Sequence, residues 1–127
     1  FEQSGYIKHH INTDTPLVIK NDVKHDINFL DNHDMSRISH TFNGDLNKLK
    51  RSADILFSFG GDVCLYYGSE VGHGRDAYVH CGGEGDWKAR TPMPWYDVEI
   101  QRKDSNSLFN HYKKLIREYN KEEKWEK

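Results

Sequence analysis

Asp31-Asn32-His33-Asp34 and, slightly further on, Arg37 bring two carboxylates, an amide, an imidazole and a guanidinium into one short stretch of chain. Groups of these types hold hydroxyls by hydrogen bonds, move protons and stabilise developing charge. They close the run Asp26-Ile27-Asn28-Phe29-Leu30, which reads as a strand buried through Ile27, Phe29 and Leu30. A strand that ends in such a cluster presents chemistry at its tip. Val63-Cys64-Leu65-Tyr66-Tyr67 repeats the design, ending at Gly68 with the carboxylate of Glu70 two residues later. Between the two, Leu46, Leu49, Ala53, Leu56 and Phe57 recur at helical spacing and stop before Gly60-Gly61. Strand, helix and strand in this order predict a parallel α/β architecture with its active face at the carboxyl ends of the strands.

Asn32-His33-Asp34 closing one strand, Tyr66-Tyr67-Gly68-Ser69-Glu70 closing the next, and then Arg90-Thr91-Pro92-Met93-Pro94-Trp95 together resemble the α-amylase superfamily of retaining glycoside hydrolases, over roughly residues 26–119. Asn-His-Asp alone would be weak evidence, but three motifs in the right order make a strong signal. The resemblance implies an α/β fold, the carboxyl-terminal portion of a (β/α)8 TIM barrel comprising about strands 7 and 8 with their helices. A complete barrel of this type needs about 250 residues, so a chain of 127 residues is expected to be a piece of one. Residues 1–120 are assigned to that partial catalytic domain and 121–127 to a charged tail. The remainder of the barrel is the implied partner.

The family's nucleophilic Asp and acid/base Glu have no match here. Glu2 stands too close to Asp34 to be that acid and reads as an exposed helix or loop residue. The resemblance gives Asp34 the remaining catalytic role: a carboxylate that bonds the hydroxyls of the sugar being cleaved and favours its positively charged transition state. It also names substrate contacts. His33 would donate to the same sugar, and Arg90 would lie close to the site of cleavage. Asn32 would orient backbone or carboxylate more than touch the sugar. Tyr67 and Trp87 complete the set, with Tyr78 and Trp95 as further flat faces for pyranose C–H groups. The segment from Arg90 to Trp95 looks more like the α-glucosidase and trehalose-synthase-like branches than the large endo-acting amylases. Tyr66 and Tyr67 should alternate across their strand, so that only one faces the barrel interior. Glu70 is assigned to fixing its loop. Arg37 has three readings: a pair with a loop acid, a contact in the sugar site, or a surface ion pair.

The implied function is action on α-glucosidic bonds of α-glucans or oligosaccharides by a retaining mechanism. The alternative is a non-catalytic module of the same fold that binds sugar or a partner, which has no need of an intact Asn32-His33-Asp34 triplet.

Composition bounds the partners. A net charge of −2 and a pI near 6.5 leave no electrostatic footprint for nucleic acid or an anionic membrane. No apolar run approaches the ~20 residues of a membrane span. Hydrophobic residues make up 35% of the chain and mean hydropathy is −0.91, low for a sheet covered on both faces, as expected if other segments complete the core. No cofactor or metal is expected. His73, His80 and Cys81 lack paired metal-ligand spacing, and the glycines from Gly72 to Gly85 lack the G-K-[ST] of a phosphate loop. Gly68 to Val98 therefore reads as one long functional loop rimming a sugar cleft. Cys64, inside its strand, is expected to be buried and reduced. Pro16-Leu17-Val18-Ile19 leads into the first strand as helical or irregular chain. Ser105 or Asn106 should cap a last helix carrying Leu108, Tyr112, Leu115, Ile116 and Tyr119 on one face.

Overall fold

In a computed structural model of the chain, residues 27–59, 61–80 and 83–125 are described. Glu2, the patch Pro16 to Ile19 and Cys81 lie outside them. A short strand β1 (Ile27–Asn28) is followed by a single helical turn α1 (Ile38–Thr41) and the helix α2 (Leu46–Phe57). Strand β2 (Asp62–Val63) then pairs parallel to β1, with Ile27 opposite Asp62 and Asn28 opposite Val63. The connection through α2 is the crossover that parallel strands require. Helices α3 (Trp95–Gln101) and α4 (Leu108–Trp125) close the chain.

Helix α2 forms where the spacing of its apolar residues predicts it. Asp45 accepts from the Lys48 amide at 3.1 Å and so satisfies one of the free donors of the first turn. Leu49, Ala53, Ile55 and Leu56 then point inward and form one core with Leu30, Ile38, Leu108 and Tyr112. The face expected on α4 meets them. His111 Nε2 lies 2.7 Å from Asp54 Oδ1 on α2, Phe57 packs edge-on against Tyr112 and Tyr119, and the Tyr119 hydroxyl donates to the Gly61 carbonyl at 3.1 Å. The cap of α4 is Ser107 instead of Ser105 or Asn106: its Oγ accepts from the Asn110 amide at 3.2 Å while donating to the Gln101 carbonyl at 2.7 Å.

The strands are shorter than expected. Each regular pair covers two residues, because among the described residues only β1 and β2 pair and both outer edges lack a neighbour. Leu30 is buried, but Ile27 is 51% exposed. Cys64, expected inside a buried strand, is exposed as well. The described residues cover this sheet on one side only.

Within its described residues, the stretch from Gly68 to Val98 is more ordered than a loop. It holds two 3-10 turns, Ser69–Val71 and Asp86–Arg90, and the first half of α3. Pro94 at the N-terminal boundary of α3 and Asp97 in its first turn are the local reasons it starts there. Gln101 ties α3 to its surroundings: its Nε2 donates to the Val71 carbonyl at 2.9 Å and its Oε1 accepts from the Phe109 amide at 3.1 Å. Among the described residues no helix is long and apolar enough to cross a membrane.

Candidate functional site

Beyond β1 the chain turns over Asn32 to Arg37. Asn32 Oδ1 accepts from the Asp34 amide at 2.9 Å, a local bond that holds the backbone bent and lifts the Asp34 carboxylate outward. That carboxylate is 64% exposed, and both of its oxygens are engaged. Oδ1 takes a hydrogen bond from Arg90 Nη2 at 2.9 Å, and Oδ2 lies 3.3 Å from His33 Nε2. Arg90 also donates from Nε to the His33 carbonyl at 3.0 Å and from Nη2 toward Asp86 at 3.1 Å. A residue 56 positions along the chain is thus clamped to the tip of β1 by two hydrogen bonds. Asn32, His33, Asp34 and Arg90 form one polar cluster open to solvent. Such a group can bind vicinal hydroxyls and present negative charge to a developing cation.

Trp87 sits on the same 3-10 turn as Arg90, three residues earlier, where side chains stack along one edge. The residue is 65% exposed, with Lys88 Nζ 5.8 Å from the ring centre. It also lines an open groove of about 430 Å³ with His73, Arg75 and Thr91. Tyr78 and Trp95 are likewise exposed.

Tyr66 and Tyr67 do not alternate as residues of a strand would, because β2 ends at Val63. Their rings touch at 4.7 Å, and both hydroxyls point at the segment carrying Arg90: Tyr66 donates to the Ala89 carbonyl at 2.9 Å and Tyr67 to the Thr91 carbonyl. Tyr67 therefore props the rim through its hydroxyl.

Under the exposed cluster lies a buried one. Of the readings open to it, Arg37 takes the pair with an acid, and the pair is fully buried. Arg37 is 0% exposed, and its Nε donates to Asp31 Oδ2 at 3.0 Å. Nη2 donates to the Tyr67 carbonyl at 2.6 Å and to Ser69 Oγ at 3.2 Å, and Nη1 approaches the Ala89 carbonyl at 3.5 Å. Asp31 is saturated in turn, accepting the Ile38 amide at 2.8 Å and the Ser69 hydroxyl at 2.9 Å. The guanidinium also lies 4.5 Å from the Tyr66 ring centre. Asp31 and Ser69 stand inside the two strand-end motifs, but sequence reasoning gave neither of them a role. Glu70, assigned to fixing its loop, is half-buried, and its Oε1 has no hydrogen-bond partner among the described residues.

His73 Nε2 lies 2.8 Å from the Thr91 hydroxyl. Burial, reinforced by the Arg37 charge, holds its pKa below the usual histidine value, with Asp97 and Asp31 pulling weakly the other way. The folded protein thus prefers neutral His73, whereas an unfolded chain takes up the proton near pH 6.5. The contribution of His73 is complete above about pH 6.5 and is lost as pH falls through that value toward the lower folded pKa. Amide exchange around Thr91 is expected to accelerate as pH falls below about 6.5, after correction for intrinsic rates, and His73→Gln to remove that dependence. Equal pH dependence in both proteins would contradict this. Among the described residues no three His, Cys, Asp or Glu side chains gather as a metal site.

Comparison with known proteins now bears on this geometry. The model of the "Alpha amylase, catalytic domain" family matches residues 7–126. The chain is 29% identical over 111 residues to "Alpha-amylase 3" of Dictyoglomus thermophilum, spanning 69% of this chain and 21% of that protein. It is 33% identical over 90 residues to a cyclomaltodextrinase of a Bacillus species, spanning 71% of this chain and 14% of that one. A 4-alpha-glucanotransferase of Thermotoga neapolitana is 31% identical over 121 residues, spanning 78% and 27% respectively. Among solved structures, the α-amylase from H. orenii superposes with a TM-score of 0.60 at 28% identity, covering 81% of this chain and 24% of that one. The chain thus spans about a quarter or less of the length of these proteins.

Proposed function

The chain belongs to the α-amylase catalytic-domain family, and we propose that residues 1–120 form the carboxyl-terminal part of such a domain, about strands 7 and 8 of its barrel with their helices. In this reading residues 121–127 are a charged tail that begins as the last turns of α4, which runs to Trp125, and the full-length polypeptide, here the parent enzyme, acts on α-glucosidic bonds of α-glucans or oligosaccharides. Asp34 is the carboxylate that bonds the hydroxyls of the reacting sugar and favours its oxocarbenium-like transition state. His33 and Arg90 hold the same sugar, Asn32 fixes the backbone beneath Asp34, Tyr67 supports the rim, and Trp87 offers a flat face to a neighbouring pyranose. Substrate hydroxyls would enter where His33 and Arg90 now approach the two carboxylate oxygens.

The observation that carries the reading is the contact of Arg90 with Asp34 at 2.9 Å, which brings the first and third motifs into one cluster. Retaining chemistry requires a nucleophilic carboxylate and a carboxylic acid about 5–5.5 Å apart. In the proposed mechanism both come from barrel segments that precede this stretch. The nucleophile forms a bond to the anomeric carbon as the acid protonates the departing glycosidic oxygen, and water or another sugar hydroxyl then resolves the covalent intermediate.

The half-covered sheet supports the same proposal, since parallel strands are stable when both faces are buried. Purified alone, the 127-residue chain is expected to turn over no glycoside and to melt in a poorly cooperative or concentration-dependent way. The parent enzyme should cleave maltodextrins or small α-glucosides. A sharp, concentration-independent melt of the isolated chain would contradict the partial-barrel reading. A parent inactive on all α-glucans would contradict the assigned chemistry.

A further inference from the structure

We propose that Arg37 is a positioning residue: from its buried seat it sets the orientation of the Ala89–Arg90 peptide, and with it the place where Arg90 meets Asp34. This inference rests on the role proposed for Asp34. The Arg37 stem is clamped before its head group is used. The Arg37 amide donates to the Ala77 carbonyl at 3.1 Å. Gly74, at φ +87°, passes so close that a Cβ there would stand 2.5 Å from Arg37 Cγ. Held in this way, the guanidinium works in three directions: to Asp31 beyond β1, to Tyr67 and Ser69 beyond β2, and to the Ala89 carbonyl. Tyr66, stacked against the guanidinium, donates to that same Ala89 oxygen.

Ala89 is 0% exposed, and its carbonyl belongs to the rigid peptide plane whose other half is the Arg90 nitrogen. Fixing one end of that plane fixes the direction in which the Arg90 side chain leaves. Arg90 is 45% exposed and, among the described residues, has only carboxylates and one carbonyl at its tip. Its aim is therefore set from below. A lysine at position 37 would keep the charge opposite Asp31 but supplies one nitrogen where the site uses three, and it lacks the planar fork that reaches several acceptors at once.

The test uses the parent enzyme with the variants Arg37→Lys, Arg90→Ala and the two combined, kcat and KM on maltodextrins being measured together with a thermal melt. If Arg37 acts through Arg90, Arg37→Lys lowers kcat about 10- to 100-fold with KM changed by less than about twofold, as expected of a misplacement near 1 Å. In the Arg90→Ala background the same change then costs less than about twofold more. Unchanged kcat in a folded Arg37→Lys protein overturns the proposal, as does a loss that multiplies with that of Arg90→Ala. Should Arg37→Lys fail to fold, Ser69→Ala decides. It removes the hydroxyl between Arg37 and Asp31 and should lower kcat a few-fold only while Arg90 is present; no loss, or one that persists without Arg90, overturns the proposal. Asp34→Asn separates the two readings. Retention of more than a tenth of kcat there defeats the role of Asp34 itself, whereas a crippled Asp34→Asn beside an unaffected Arg37→Lys defeats the positioning alone.

Discussion

Replacing Asp34 by Asn in the parent enzyme is expected to lower kcat on maltodextrins by about 10²- to 10³-fold, or about 2.7–4 kcal/mol of transition-state stabilisation. The substitution is nearly isosteric, removes the charge and exchanges one acceptor oxygen for an amide donor, so that only one of the two carboxylate contacts with Arg90 and His33 keeps an acceptor. It leaves Asn32 Oδ1 with the amide of residue 34 and Arg90 with the His33 carbonyl and Asp86. Because the negative charge matters most when the sugar ring becomes cationic, kcat and kcat/KM should fall together. The side chain is 64% exposed, so the folded state loses little, within about 0.5 kcal/mol. A fall in turnover of less than tenfold would contradict the role given to Asp34.

Asp31→Ala is expected to do the opposite, costing about 3–5 kcal/mol of stability because it leaves a guanidinium buried without its counter-charge. The damage would extend beyond the ion pair. The Ile38 amide and the Ser69 hydroxyl both lose their acceptor, and Arg37 is 0% exposed, so water cannot replace the carboxylate without opening the core. Denaturant unfolding of the parent enzyme, with Asp34→Asn as the control, reads the difference. A loss under about 1 kcal/mol from Asp31→Ala would show that the buried pair is not what holds the three motif segments together.

What could be read from the chain follows from where each element finds its partners. Helix α2 and the inner face of α4 pack on each other within the described residues, so the spacing of Leu49, Ala53 and Leu56 and of Leu108 and Tyr112 was sufficient to place them. The Asn32-His33-Asp34 cluster was legible because a polar run at the end of an apolar one has few structural uses. The strands were overread, since the apolar character of Val63 to Tyr67 suits a sheet with neighbours on both sides, and here the ladder stops at Val63. Tyr66 and Tyr67 then turn to the same segment instead of opposite faces. Helix α3 was invisible to periodicity because it buries none of its residues, with Trp95, Tyr96 and Ile100 all exposed. Arg37 was the least legible: a residue type seldom fully buried reads as surface until its partner Asp31 is seen beside it.

The most direct measurement is a crystal structure of the parent enzyme, with its nucleophile disabled, bound to a maltooligosaccharide. The account predicts the Asp34 carboxylate within about 3 Å of two hydroxyls of the sugar at the cleavage point, His33 Nε2 bonded to the same ring and Arg90 still against Asp34. A sugar bound with Asp34 turned away from it, or with its reactive ring on another face of the chain, would contradict the account.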